Sequence, residues 1–356
     1  MKDLKEILKL AIEKQASDIF IVAGRPVAYR FHHELVNAPD SEILMPADTK
    51  TLLEQIYALT FNRPMDHLLN EGDDDFSFAL EGVSRFRVSA FKQRGSLAAV
   101  IRAIPFSLPE PSALHIPQSV INFGQLTKGM VLITGPAASG KSTTLACIID
   151  SINHTRNDHI ITLEDPIEFL HRHDRSIVSQ REIDLDTESY VTALRAALRQ
   201  SPDVILLGEM RDYETISVAM TAAETGHLIF STLHTLGASN TINRIIDVFP
   251  PEQQHQIAIQ LSTVLSAVIS QQLVPTTDGS ILPVFEIMTI TPAIANMIRE
   301  GKVYQLDSQS HSSSDHAGMV SMDDSLLDLY KKGTITAESA IRYALRPELM
   351  KPKVKL

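Results

Sequence analysis

Between positions 135 and 142 the chain reads Gly135-Pro136-Ala137-Ala138-Ser139-Gly140-Lys141-Ser142, which satisfies the spacing G-x-x-x-x-G-K-[ST]. Phosphate chemistry explains that spacing. A turn bounded by glycines lets successive backbone N–H groups face phosphate oxygens, and a helix that follows adds its positive end. A lysine at position 141 reaches the β- and γ-phosphates, and the Ser142 hydroxyl can ligate Mg2+. The segment MVLIT (130–134) before the loop reads as a strand and Ser142–Ile152 after it as a helix, the context such a loop needs. The residues therefore predict a nucleotide site. Ala138 keeps its N–H available, but its Cβ is expected to bar the φ > 0 conformation that glycine adopts cheaply.

A phosphate cradle alone does not separate a kinase from an NTP-hydrolysing motor, so the acids matter. Glu164 and Asp165 follow the apolar run HIITL, and Glu209 follows VILLG. In an open parallel sheet ligands gather at the carboxyl ends of strands, where these acids fall. One acid can hold Mg2+, directly or through water, while another orients the attacking water. The plain alternative is a solvated strand end, and for Asp165 and Glu168 the two readings are balanced. His227 and His234 flank the strand LIFST; a spacing of seven across a strand is no zinc signature, which leaves a phosphate-sensing or a core hydrogen-bonding role open. Arg85, Arg87, Arg94 and Arg102 form a second basic group, with Arg85 and Arg87 on one face of a strand. Guanidinium groups suit the charge of a transferring phosphoryl group, and equally suit a solvated sheet face.

These residues have to be positioned by the elements around them. From Asp18 to about Ile104 the text is α+β: DIFIVAG (18–24) and 28–36 read as short strands, and 48–70 as an amphipathic helix that Pro64 breaks. FSFAL, RFRVSAF and SLAAVIRAI, separated by Glu81-Gly82 and Arg94-Gly95, read as consecutive antiparallel strands. Pro105, Pro109, Pro111 and Pro117 suppress both helix and sheet and predict an interdomain linker. Beyond it the pattern becomes strand, turn, helix. MVLIT, HIITL, VILLG and HLIFST are nearly all apolar, as strands covered on both faces of a mostly parallel sheet are. Helices are expected over 142–152, 188–200 and 213–224, then over 252–272 and 292–300, with a strand near 282–287 and a Ser/His-rich exposed loop at 309–316.

The chain has 356 residues, 44% hydrophobic and 21% charged, which excludes wholesale disorder and leaves room for about two domains at roughly 150 residues each. No run approaches the ~20 apolar residues that span a bilayer. The first fifteen residues carry Asp3, Glu6 and Glu13 and lack the apolar core of a signal peptide, while Leu4, Ile7, Leu8, Ala11 and Ile12 keep helical spacing. One cysteine, Cys147, excludes an intrachain disulfide and a cysteine-rich zinc site, and is assigned to packing. A reducing, cytoplasmic setting is expected. The net charge of −11 offers no overall basic footprint, so no nucleic-acid partner is expected.

Together these segments resemble the secretion ATPase superfamily of type II secretion and type IV pili, and within it the twitching-motility (PilT/PilU) class of pilus retraction ATPases. GPAASGKSTT (135–144) resembles its Walker A box, ITLEDPIEF (161–169) its aspartate box and ALRQSPDVILLGEMRD (197–212) its Walker B box. AAETGHLIFSTLHT (222–235) resembles the histidine box, and RIIDVFP (244–250) follows as in the family. The resemblance covers essentially the whole chain. It implies an α/β protein with a PAS-like N-terminal α+β domain (1–104), the linker (105–117) and a RecA-like P-loop ATPase domain (118–356) with a helical C-terminal region. It implies ATP and Mg2+ as ligands, held by the loop from Gly135 through Lys141, Ser142 and Thr143, with Mg2+ on Ser142 and, through water, on Glu209. Glu164 would be the general base or water-orienting acid. His234 and His227 would line the phosphate site, and Arg87 and Arg102 would reach the phosphates from the N-terminal domain.

The resemblance further implies a homo-hexameric ring at the inner face of the cytoplasmic membrane. That ring would pass force to the inner-membrane platform protein of the pilus, with a paralogous retraction ATPase as a further partner. Assembly ATPases of the superfamily carry an added N-terminal domain and a tetracysteine zinc element; neither is present here, which favours retraction. Against this, AIANMIRE (293–300) carries Ala295 where the retraction motif has arginine, and QQLVPTTDG (271–279) is closer to the PilU branch. The alternatives are an assembly or secretion ATPase and an accessory ring partner of a second retraction ATPase.

Overall fold

Leu4, Ile7, Leu8 and Ala11 recur at helical spacing, and the helix they predict, α1 (Leu4–Glu13), buries all four. The computed structural model describes residues 3–31, 34–39, 41–60, 63–104, 108–306 and 319–355. The chain divides into one unit of Met1–Ser107 with Glu168–Leu170 and another of Leu108–Ile167 with His171–Leu356.

In the first unit, β1 (Asp18–Ile21), β2 (Ala28–Phe31), β3 (Glu34–Asn37), β4 (Asp73–Leu80), β5 (Ser84–Gln93) and β6 (Ser96–Ile104) form one sheet. Its order is β3-β2-β1-β6-β5-β4 and its neighbours are antiparallel. The run 28–36, read as one strand, is two strands paired from Ala28↔Asn37 to Phe31↔Glu34. Helices α2 (Pro46–Ala58) and α3 (Asp66–Glu71) replace the single amphipathic segment, with Pro64 in the gap where it cannot continue a helix. Leu8, Leu52 and Ile56 from the helices pack with Ile19, Phe86 and Ile101 of the sheet in one core.

The second unit is built on a seven-stranded sheet. Its strands are β7 (Gly129–Thr134), β8 (His159–Glu164), β9 (Ile177–Glu182), β10 (Val204–Leu207), β11 (Leu228–Leu233), β12 (Leu265–Pro275) and β13 (Ile281–Thr289). The order is β13-β12-β7-β11-β10-β8-β9, parallel throughout except for β13. Alternation along β7 shows why its text is uniformly apolar. Met130 and Leu132 enter the core that holds α6 (Tyr190–Ala197), α7 (Tyr213–Glu224), α8 (Ala238–Asp247) and α9 (Pro251–Val264), while Val131 and Ile133 enter the core under α4 (Gln118–Ile121) and α5 (Lys141–Thr155). Helix α10 (Pro292–Arg299) also packs in the first of these cores. A smaller cluster joins β12 and β13 to α11 (Met322–Lys331), α12 (Ala337–Tyr343) and α13 (Pro347–Met350).

Two expectations change here. The segment 252–272, read as helical throughout, turns to strand at Leu265, because LSAVIS is an apolar, partly β-branched run that serves a buried strand as well as a helix. It lies between β7 and β13. Strand β9 was not apparent in sequence, since as an edge strand it is half-buried and polar. Within the proline-rich stretch 105–117, Leu108, Leu114 and Ile116 pack on the second unit's core. The Ser/His-rich segment 309–316 lies outside the described residues.

Candidate nucleotide site

Four parallel strands end side by side on one edge of the sheet. Register Thr134↔Leu233, Leu207↔Ser231 and Leu207↔Leu163 brings the ends of β7, β11, β10 and β8 together. They deliver, in that spatial order, the Gly135–Ser142 loop, His234, Glu209 and Glu164. Tertiary pairing thus gathers residues up to 99 positions apart in the chain (135 to 234).

The loop turns through positive φ at Gly135 (145°), Ala138 (60°) and Gly140 (86°). Ala138 therefore adopts the conformation its Cβ was expected to bar. The compact turn over-determines its backbone, at a cost of about 1–2 kcal/mol for a non-glycine residue. The two glycines are required by β12. A Cβ on Gly135 would stand 2.1 Å from the Gln271 carbonyl oxygen, and one on Gly140 would stand 2.9 Å from Gln271 Nε2. Gln271 is itself buried and accepts a 2.7 Å hydrogen bond from Thr144 Oγ1, tying the first turn of α5 to β12. Below the loop, Thr134 and Ser270 hydroxyls lie 2.9 Å apart. Gln271 was missed as a site residue because its segment was read as helix, so nothing placed it beneath the loop.

Helix α5 starts at Lys141 with no side chain capping it and no acid in its first turn, which leaves its positive end open to an anion. Lys141 is buried and donates to the Gly135 and Pro136 carbonyls at 2.9 and 2.8 Å, so its ammonium already lies across the loop. Ser139 Oγ is buried within the loop without a hydrogen-bond partner among the described residues. An orphaned hydroxyl, an open helix end and a lysine at one turn match the donors a polyphosphate requires. Pro136, Ala137 and Ala138 are exposed at the tip, and Ser142 and Thr143 are half-buried in the first helical turn.

Glu164 accepts a 2.6 Å hydrogen bond from Thr162 Oγ1, two residues back on the same face of β8. Gln180 Nε2 of β9 approaches the same carboxylate oxygen at 3.3 Å. Glu209 is clasped by Arg211 at 2.6 Å and lies 3.6 Å from His234 Nε2. The carboxylate holds the Arg211 pKa above its ordinary value, chiefly by that hydrogen bond. Tyr190, at the start of α6, stands beside these acids; burial first, then the charges of Asp165, Glu209 and Glu164, push its hydroxyl pKa up. Burial likewise pushes the Cys147 thiol up to about 12, consistent with a packing residue.

His227 sits at the other end of β11, roughly 20 Å along the strand from His234, where its ring contacts the Ala222 carbonyl at 2.8 Å and the Thr225 hydroxyl at 3.2 Å. It does not line the loop of this unit. In the first unit, Arg87 and Arg102 stand directly opposite each other on β5 and β6. Arg102 Nε donates to buried Asp18 at 3.0 Å, and Arg85 donates to Ser77 at 2.6 Å. Arg87 makes no side-chain hydrogen bond or ion pair among the described residues. No helix of the described residues is long and apolar enough to cross a membrane.

The type II/IV secretion system protein family matches residues 1–324. The type IV pilus retraction ATPase PilT of Pseudomonas aeruginosa is 42% identical over 348 residues, covering 97% of this chain and 99% of that protein. The type IV pilus ATPase PilU of the same organism is 37% identical, covering 99% of this chain and 92% of that protein. Among solved structures, the pilus retraction motor PilT with bound ADP superposes with a TM-score of 0.90 at 44% identity, covering 99% of both chains.

Proposed function

This chain belongs to the type II/IV secretion system protein family, and we propose that it is an ATP-hydrolysing motor that powers retraction of a type IV pilus. The observation that carries the reading is the open, lysine-bearing cradle on the same sheet edge as Glu209 and Glu164. Backbone N–H groups from Ala137 to Thr143, the Ser139 hydroxyl and Lys141 bind the β- and γ-phosphates, with Gly135 and Pro136 shaping the turn. On ATP binding, Lys141 exchanges its two loop carbonyls for phosphate oxygens, a stronger charge-assisted pairing.

Ser142 and Glu209 offer the hard oxygen donors that Mg2+ takes, Glu209 through water. When bound, Mg2+ neutralises charge on the β- and γ-phosphate oxygens. Glu164, held by Thr162 and Gln180, orients the attacking water and accepts its proton. His234, 3.6 Å from Glu209 through its Nε2, senses the γ-phosphate in this reading. Arg87 and Arg102 reach the phosphates as the N-terminal domain moves, and the cycle of that movement is the work output. The functional assembly is a homo-hexamer seated against an inner-membrane platform protein, at the cytoplasmic face, with a paralogous retraction ATPase as a further partner. Residues 105–117 are the interdomain linker between residues 1–104 and 118–356.

Lys141→Ala is expected to abolish tight ATP binding, and unchanged binding would remove the cradle assignment. Glu164→Gln is expected to keep binding and lower turnover by at least ~10²-fold. For direction, Ala295 lies half-exposed on α10, beside the buried Ile294 and Ile298, so the missing arginine leaves helix packing intact. Deletion of the gene should give hyperpiliated cells that no longer twitch. Bald cells would identify an extension motor instead.

A further inference from the structure

Strands β8 and β9 run parallel, with Ile160 opposite Val178 and Thr162 opposite Gln180. Ile160 and Val178 enter the core under α5, and alternation then puts Thr162, Glu164 and Gln180 on that same face of the sheet. Register thus stands a hydroxyl and an amide side by side, two residues before the carboxylate along β8. Both reach the same atom. Thr162 Oγ1 donates to Glu164 Oε1 at 2.6 Å, and Gln180 Nε2 donates to it at 3.3 Å.

The other end of the Gln180 amide is also engaged, its Oε1 accepting a 2.8 Å hydrogen bond from His171 N. A backbone N–H can only donate and an ionised carboxylate can only accept, so the two neighbours select the same orientation of the amide. Turned over, the amide would set NH2 against N–H and oxygen against carboxylate, and both bonds would be lost. The backbone beside His171 is itself held. Asn153 of α5 is buried, donates through Nδ2 to the Arg172 carbonyl at 2.7 Å and accepts from Asp174 N at 3.2 Å. The segment crossing from β8 to β9 is therefore pinned to the helix that starts in the phosphate loop. Methionine would fill a similar volume at 180, so packing does not explain an amide whose two ends each meet a complementary partner.

We propose that Gln180 is a positioning residue of the hydrolytic site. Its amide, set in one orientation by the His171 N–H, joins Thr162 in holding Glu164 in the rotamer that presents the carboxylate to the attacking water. A half-buried glutamate at a strand end has several rotamers open to it, and two donors on one oxygen restrict it to one. This inference rests on the role given to Glu164 above. Gln180 acts through that acid and not on ATP.

The test is steady-state ATP hydrolysis by the purified full chain carrying Gln180→Met or Gln180→Glu. Binding of a non-hydrolysable ATP analogue is read on the same samples. Gln180→Met removes both bonds at similar length, whereas Gln180→Glu keeps an acceptor for His171 N and sets a like charge against Glu164. Gln180→Met should lower kcat about tenfold, the scale of one hydrogen bond to a charged group, with KM and analogue affinity at wild-type values. Gln180→Glu should do no better. A residue that merely ties down the backbone at 171 predicts the reverse order, because glutamate preserves that tie. Wild-type kcat in either variant, a higher kcat in Gln180→Glu than in Gln180→Met, or weakened analogue binding overturns the inference. Added to Glu164→Gln, Gln180→Met should change kcat little; a second tenfold loss there overturns the inference as well, since the amide would then act independently of the acid. Glu164→Gln turning over at the wild-type rate removes the Glu164 assignment itself, and the inference with it. Full activity of Gln180→Met beside an inactive Glu164→Gln overturns the glutamine alone.

Discussion

Thr144 Oγ1 and Gln271 Oε1, 127 residues apart, share a buried 2.7 Å hydrogen bond that fastens the first turn of α5 to β12. The Gln271 backbone and amide also abut Gly135 and Gly140, so one residue lies against both ends of the phosphate loop. Gln271→Ala should orphan the Thr144 hydroxyl and open a cavity under the loop, costing about 2–4 kcal/mol by chemical denaturation. ATP affinity should fall with it. In Thr144→Val/Gln271→Leu the loss should be smaller than the sum of the single changes, since both partners of the bond are then removed together.

Ala138 and Ala137 are neighbours with opposite expectations. Ala138 holds φ at 60°, where a Cβ is strained. In Ala138→Gly relief of that strain offsets the added freedom of the unfolded chain, so the thermal midpoint should stay at or above wild type. Ala137 has no such strain, and Ala137→Gly should lose about 0.5–1 kcal/mol. Equal losses in the two variants would mean the left-handed conformation at 138 is not what the loop adopts in solution.

Arg87 and Arg102 face each other across β5 and β6, but among the described residues only Arg102 is neutralised, by Asp18. Arg102 is 66% exposed and Asp18 6%, so the pair is partly screened by solvent. Arg102→Ala should cost about 1 kcal/mol by leaving a buried carboxylate short of a partner, and should lower turnover. Arg87→Ala removes an unpaired like charge from the same strand pair, so stability should hold while turnover falls. Wild-type turnover in both variants would return the arginines to a sheet-face role.

His154, in the last turn of α5, lies between Asp150 and Asp174. Its pKa is raised, first by the hydrogen bond to the Asp150 carbonyl and then by the nearby carboxylates, with burial opposing. A histidine whose folded pKa exceeds the unfolded value stabilises the protein in its protonated form. That contribution is complete below pH ~6.5 and disappears as pH rises through the folded pKa. Thermal midpoints of wild type and His154→Gln should therefore differ at pH 5.5 and converge by pH 8.5. Parallel curves would show that the histidine contributes no proton-linked stability.

The phosphate loop, its lysine, its serine and the acids Glu164 and Glu209 were legible in sequence, because each is tied to a local pattern. A glycine-bounded loop follows a strand, and an acid follows an apolar run. The antiparallel run β4-β5-β6 was legible for the same reason, through alternation and turn residues. What local pattern could not decide was which strand lies beside which. An apolar run such as LSAVIS suits helix or buried strand alike, and only pairing with β7 and β13 makes it β12 and sets Gln271 under the loop.

The two histidines show the same limit. Both flank one strand, and strand direction alone sends His234 to the edge that carries the phosphate loop and His227 to the far one. Nor does anything in the sequence place the Tyr190 hydroxyl over Gly208, an approach that the missing side chain at 208 allows. Sequence determined the chemistry available to this chain, since residue types and short spacings are covalent facts. Tertiary structure decided which of those residues meet, because contacts between distant segments arise only when the sheet orders its strands.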